Sequence, residues 1–302
     1  MHNAKKSILF VDKLAMKKEN PPTPFQVPPL IRWCARTSER LSLRLATTMG
    51  MYFFFRPQRF PTPNREKHML NNSQQGKLFV PEIKKTIHTY RLPNKGQKVL
   101  LLHGWSGRAT QLQALAKALH QSGMEIVSFD APAHGQSEGN TTNIVEFVAC
   151  TKEVYNHFGP FDHIIGHSMG GMVSLNAARE GLKFKTLTTI GSGDKIKNVF
   201  LDYTRKMDFT DNIADRMIDI VEKRFGQSLE SYSGSNAVKQ LPIPIHIIHD
   251  ENDYEVPISY AHDLHKVSKN ASLLLTQGLG HRRILRNQDV IDKVLTFINN
   301  HS

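Results

Sequence analysis

The chain of 302 residues holds only two cysteines, Cys34 and Cys150, far apart in the sequence. So few thiols at such a distance give no reason to propose a disulfide framework and fit a reducing compartment. Long apolar runs are missing as well. The longest, MGMYFFF at 49–55, falls far short of the ~20 residues that cross a bilayer, and the short run SILFV stops at Asp12 without a small-residue cleavage site. These absences predict a cytoplasmic protein with no membrane span and no secretory signal. No zinc-ligand spacing and no phosphate-cradling glycine loop occur either, so neither a metal nor an organic cofactor is expected.

Charge of one sign is in excess. A formal net charge of +12 raises nucleic acid or an anionic membrane as a partner. Its distribution points away from nucleic acid, because residues 1–70 carry 13 Lys/Arg against 4 Asp/Glu and so hold nine of the twelve excess charges. The basicity belongs to an N-terminal extension, and residues 71–302 form the main domain. The first 29 residues, with two Lys pairs and the cluster ENPPTPFQVPP, read as irregular. Met16 opens a second plausible start, which leaves two origins for residues 1–15, native or added. From Pro29 the spacing of Leu30, Cys34, Leu41, Leu45 and Met49 predicts one amphipathic helix that ends before Pro57, with Arg32, Arg36, Arg40 and Arg44 on a neighbouring stripe. That helix has two readings. It lies on the main domain with a solvated arginine face, or it makes weak contact with an anionic membrane through the arginines and Phe53, Phe54 and Phe55.

From about residue 84 short β-branched and Leu-rich runs alternate with helical segments. Strands are predicted at 85–92, 98–103, 125–130, 162–167, 185–191, 243–250 and 271–276, with helix-like stretches such as ATQLQALAKALHQSG between most of them. Runs that are apolar on both faces and separated by helices predict an α/β fold, with a mostly parallel central sheet flanked by helices. Ligands in such folds bind where the strands end at their carboxyl side.

The stretch IIGHSMGGMVS at 164–174 sets Gly166 and Gly170 around Ser168 at G-x-S-x-G spacing, after a predicted strand and before a predicted helix. That context makes Ser168 a candidate nucleophile rather than an ordinary turn residue. A nucleophile elbow forces its serine into a strained turn above the sheet, and small neighbours are needed where the backbone crowds itself.

With this elbow the chain resembles the α/β-hydrolase fold superfamily over roughly residues 80–300, and four further segments carry the likeness. HGWSG at 103–107 stands where that family builds half its oxyanion hole, and DAPAHGQS at 130–137 is similar to the turn after the next strand. DENDYEVP at 250–257 resembles the acid loop and GLGHRRIL at 278–285 the histidine loop. The order Ser168, Asp253, His281 is the order that fold imposes on its triad. The resemblance implies His281 as general base and Asp253 as its orienting acid. It implies the backbone N–H groups of Trp105 and Met169 as oxyanion donors. Asp250 is a second candidate for the acid, although the family pattern sets the acid three residues before Val-Pro, as Asp253 is. Asp130, Gly135 and Ser137 are expected to hold a tight turn beneath the site. Other histidines have plainer readings: His262 and His265 in a surface helix, His301 in the tail, and His103, His134 and His167 packing turns. Arg282 and Arg283 admit either attraction of a substrate carboxylate or ordinary pairing.

Residues 193–241, with TDNIADRMIDIVEKRFG, resemble the small helical cap of many family members, which implies a partly covered pocket for a small or medium acyl substrate. The expected function is that of a serine hydrolase cleaving small-molecule carboxylic esters through an acyl-enzyme. Thioester, amide or C–C bond cleavage on the same machinery stays open. So does a non-catalytic ligand-binding module on the same scaffold.

Overall fold

The computed structural model describes residues 27–301, so the irregular segment and the second start expected before Val27 lie outside the described residues. Two helices, α1 (Pro29–Leu41) and α2 (Leu43–Phe54), stand where the apolar spacing predicts one. Ser42 separates them: it leaves the helical region at φ −166° and ψ 126°, and its Oγ accepts the Leu45 N–H at 3.4 Å. The side chain of a serine competes with the helical backbone, so a cap forms although the apolar periodicity runs on. The arginine stripe divides as well. Arg32 and Arg36 both bond Asp208, at 2.7 and 2.9 Å, whereas Arg40 and Arg44 face solvent.

A short 3-10 turn (Asn64–Glu66) and helix α3 (Lys67–Asn72) lead into the sheet. Its strands are β1 (Gln74–Val80), β2 (Lys85–Leu92), β3 (Lys98–Leu102), β4 (Glu125–Asp130), β5 (His163–His167), β6 (Thr186–Ile190), β7 (Ile245–Asp250) and β8 (Ala271–Thr276). They lie in the order β1-β2-β4-β3-β5-β6-β7-β8. The hairpin of β1 with β2, and β2 beside β4, are antiparallel; every other pairing is parallel. The seven expected strands are all present. β1 is additional, an edge strand that is exposed over most of its length and therefore has little apolar alternation to read.

Helices α4 (Gln113–Gln121), α5 (Ile144–Phe158), α6 (Met169–Arg179), α7 (Ile196–Lys206), α8 (Asp211–Phe225), α9 (Gly234–Val238), α10 (Ile258–Val267), α11 (Gly280–Arg283) and α12 (Gln288–Asn299) complete the fold. Alternation along β3 shows how the layers form. Leu100 and Leu102 pack with Phe147, Val154 and Val173 of α5 and α6, while Val99 and Leu101 pack with Leu115 and Leu119 of α4 and Val294 of α12. A third apolar cluster lies apart from both. Ala35 and Ala46 of α1 and α2 join Phe200, Ile213, Met217 and Val221 of α7 and α8, so the N-terminal helices pack on the segment between β6 and β7.

A buried ion pair ties the extension to the loop that follows β3. Arg108 bonds Glu66 through Nε at 2.6 Å and Nη2 at 3.0 Å, with Thr110 donating to the same carboxylate at 2.8 Å. Glu66 is 2% and Arg108 6% exposed. Removing one partner strands the other charge out of water, so Glu66→Ala is expected to lower the unfolding free energy by about 3–5 kcal/mol in chemical denaturation. A loss below ~1 kcal/mol would show that the pair carries no such burden.

Candidate active site

Ser168 joins β5 to α6 at φ 55° and ψ −120°, a left-handed backbone that a non-glycine residue adopts only under strain. Its neighbours make the turn possible. A Cβ on Gly166 would come within 2.1 Å of the Gly170 carbonyl oxygen, and one on Gly170 within 2.4 Å of the Leu102 carbonyl oxygen. Only glycine permits β5, α6 and the end of β3 to approach so closely. Met169 opens α6, so its N–H is one of the first-turn donors that a helix leaves without an internal partner.

Two loops from the far edge of the sheet meet at His281. Its Nδ1 lies 2.7 Å from Asp253 Oδ2, with Asp253 nearly fully buried. The second oxygen of Asp253 accepts the N–H groups of Glu255 and Val256 at 2.8 and 2.9 Å. Burial alone would raise this carboxyl, but the hydrogen bond and charge of His281, aided by those two N–H groups, hold it below its usual range. Asp250 occupies a different place. It accepts the N–H groups of Leu279 and Gly280, each at 2.9 Å, and the Thr276 hydroxyl at 2.7 Å, so it shapes the backbone that presents His281.

Three residues that the sequence left without a site role brace this arrangement. His167 Nε2 contacts the His281 carbonyl at 2.9 Å, which anchors the histidine loop beside the elbow. Gly191, at φ 56°, lies where a Cβ would come within 3.2 Å of His281 Nδ1 and 3.4 Å of Asp253 Oδ2. His249 donates to the Val256 carbonyl at 3.0 Å from the other side of the acid loop. Position next to the elbow could have marked His167; nothing in the sequence marks Gly191.

HGWSG turns sharply after β3. The Gly104 carbonyl meets His103 Nδ1 at 2.7 Å and accepts the Gly107 N–H at 3.0 Å, and Ser106 sits at φ 55°. Both His103 and His134 serve as acceptors for backbone N–H groups, of Ala131 at 3.0 Å and Ser106 at 2.9 Å, which fixes each ring in its Nδ1–H tautomer. Asp130 holds the DAPAHGQS turn, accepting from Ala109, Gln136 and Tyr90, while the Ser137 hydroxyl closes back on its carbonyl. The extension joins in: the Gln58 N–H donates to Ser106 Oγ at 3.0 Å, and Arg59 donates to the carbonyls of Ala133, Ser137 and Gly139.

Ser168, Met169, Trp105 and His281 all face one cavity of about 1120 Å³; Asp253 stands behind His281, and Asp250 supports the loop. Arg282 is paired with Glu255 at 3.0 Å, and Arg283 donates to the carbonyls of Leu279 and Gly278, so neither is committed to a ligand. His262 and His265 lie on α10, and His301 follows α12. Among the described residues no cluster of three or more His, Cys, Asp or Glu side chains is arranged to hold a metal ion, and no helix is long and apolar enough to cross a membrane.

The sequence profile described as the Alpha/beta hydrolase family matches residues 99–293. A pimeloyl-[acyl-carrier protein] methyl ester esterase of Aliivibrio fischeri is 22% identical over 254 residues, covering 70% of this chain and 98% of its own. An esterase of Pyrococcus furiosus superposes with a TM-score of 0.63 at 18% identity, over 82% of this chain and 99% of the other. For an esterase of Exiguobacterium antarcticum the values are 0.59 and 13%, over 74% and 99%. At such identities these structures establish the fold, with its mostly parallel eight-stranded sheet.

Burial holds His103 at about 4 and both His134 and His167 at about 3, well below the ~6.5 of an unfolded histidine. Between these values the unfolded chain binds protons that the folded rings refuse. The stability they contribute is therefore complete above pH 6.5 and is lost as the pH falls towards 4 and then 3, by about 1.4 kcal/mol per pH unit for each ring. Denaturant unfolding from pH 7 to 4.5 should show this decline, and a flat profile across that window would contradict it.

Proposed function

Because the chain belongs to the alpha/beta hydrolase family, we propose that it is a serine hydrolase that cleaves carboxylic esters through an acyl-enzyme, with Ser168 as nucleophile, His281 as base and Asp253 as orienting acid. The observation that carries this reading is the 2.7 Å contact of His281 Nδ1 with buried Asp253, in the wall of the cavity onto which the strained Ser168 opens. A carboxylate at Nδ1 fixes the proton there and leaves Nε2 as the nitrogen to receive another. The esterase relatives support ester substrates for a chain of this fold.

In the first half-reaction His281 takes the Ser168 proton as Oγ attacks the ester carbon, and the Asp253 charge stabilises the imidazolium that results. The negative oxygen of the tetrahedral intermediate is received by the N–H groups of Met169 and Trp105, the first aligned by the start of α6 and the second by the Gly104 turn. The carbon–alkoxide bond then breaks, and the proton on His281 passes to the leaving oxygen. Water repeats the sequence on the acyl-serine, releasing the acid and restoring Ser168. Residues 193–241 serve as the cap over this chemistry.

A fluorophosphonate probe should label the folded wild-type protein on Ser168 and leave Ser168→Ala unlabelled. Asp253→Asn should lower kcat by about 10³–10⁴-fold with the fold retained, since the imidazole loses its orienting charge. Asp250→Asn should instead reduce thermal stability, because it disturbs the contacts to Leu279, Gly280 and Thr276. Failure of a folded wild-type sample to react with the probe would favour a non-catalytic binding module. An almost unimpaired Asp253→Asn enzyme would transfer the acid's role elsewhere.

A further inference from the structure

The cavity is walled by the N-terminal segment as well as by the segment between β6 and β7. At about 1120 Å³ it lies just above the ~300–1,000 Å³ usual for small-molecule sites, and part of its wall comes from the N-terminal segment. That segment, Val27 to Phe60, lies wholly outside the part of the chain matched by the family profile.

Two regions of different chemistry adjoin the Ser168 opening. One is apolar, with Met172 of α6, Phe200 and Met207 at α7, Val221 of α8, and Phe54 and Ile31 from α2 and α1. The other is polar, with Gln111 and Gln113 at the start of α4 and the exposed Arg65 and Arg286 nearby. α2 contacts α8 and stacks Phe54 on Phe200 of α7, while α4 contacts the turn at Ile284–Arg286.

The apolar wall is built, not incidental. Phe54 stacks on Phe200 with ring centroids 4.2 Å apart, the Tyr203 hydroxyl donates to the Gly50 carbonyl at 3.0 Å, and Asp208 clasps both Arg32 and Arg36. Glu39 further accepts the Thr210 N–H at 3.1 Å. Past α2 the strap continues to the catalytic loops, where the Phe55 carbonyl accepts the Thr142 N–H and Gln58 holds Ser106.

We propose that the N-terminal helices are one wall of an acyl-binding pocket, and that the substrate is an ester of a long alkyl acid with a polar alcohol part. The alkyl chain lies between α2, α7 and α8, and the polar alcohol part occupies the region near Gln111 and Arg286. This inference rests on the ester hydrolysis proposed above. An apolar pocket rewards each buried methylene, so kcat/KM rises with acyl length until the chain fills the wall-to-wall space.

The test is a p-nitrophenyl ester series from two to sixteen acyl carbons on the full chain, with fluorophosphonate labelling run in parallel. The expected profile climbs roughly fourfold per methylene at first and peaks at ten carbons or more. Ile31→Trp narrows the pocket from α1 and Met207→Trp from the end of α7. Each should lower the twelve-carbon to four-carbon ratio of kcat/KM at least tenfold. Using both keeps the test decisive if one variant fails to fold. A labelled wild type with its optimum at two to four carbons overturns the long-chain assignment and leaves the hydrolase reading standing. A ratio within twofold of wild type for folded, labelled Ile31→Trp overturns the N-terminal wall. Absence of labelling in the folded wild type overturns the hydrolase reading itself, and this inference with it.

Discussion

The site depends on one backbone constraint, the left-handed turn at Ser168 between β5 and α6. Such a conformation is unfavourable for a residue with a side chain, and the surrounding structure must over-determine it. Gly166 and Gly170 do so by letting two strands and a helix meet at distances no Cβ would tolerate. The Ser168 N–H is meanwhile held by the Ile190 carbonyl of the adjacent strand at 3.0 Å. From that turn follow the projection of the hydroxyl, the direction of α6 and the exposure of the Met169 N–H.

Everything else at the site is a set of distant loops brought to this point and locked there. Asp250 shapes the histidine loop with its carboxylate, His167 ties that loop to the elbow, and His134 supports the Ser106 N–H across from them. The buried histidines are thus structural and held neutral by burial: His103 and His134 accept backbone N–H groups, and His167 donates to the His281 carbonyl. The N-terminal segment has the same standing. Arg59 and the Gln58 N–H reach the loops around Ser106 and Ser137, so removing the segment takes away a wall and a brace together.

How much of this was legible in the sequence follows from how local each signal is. The elbow is a five-residue pattern set between a strand and a helix, so Ser168 could be named at once. The buried strands could be read because both their faces are apolar. Asp253 and His281 needed the family resemblance, since nothing in the stretch between two residues 28 positions apart says that two loops will touch; the structure then sets them 2.7 Å apart. β1 escaped because an exposed edge strand has no buried face to imprint on its residues. The break at Ser42 escaped because a capping serine leaves apolar spacing intact. The role of the extension in the cavity was illegible, as packing of Phe54 on Phe200 is a contact between segments far apart in the chain.

The most direct test of the central claim is to quench the protein in acid during turnover of a p-nitrophenyl ester and map the trapped acyl group by peptide mass spectrometry. The acyl mass is expected on the peptide that carries Ser168, and on Ser168 itself after fragmentation. Turnover that persists in Ser168→Ala, or an acyl group found on a different residue, would contradict it.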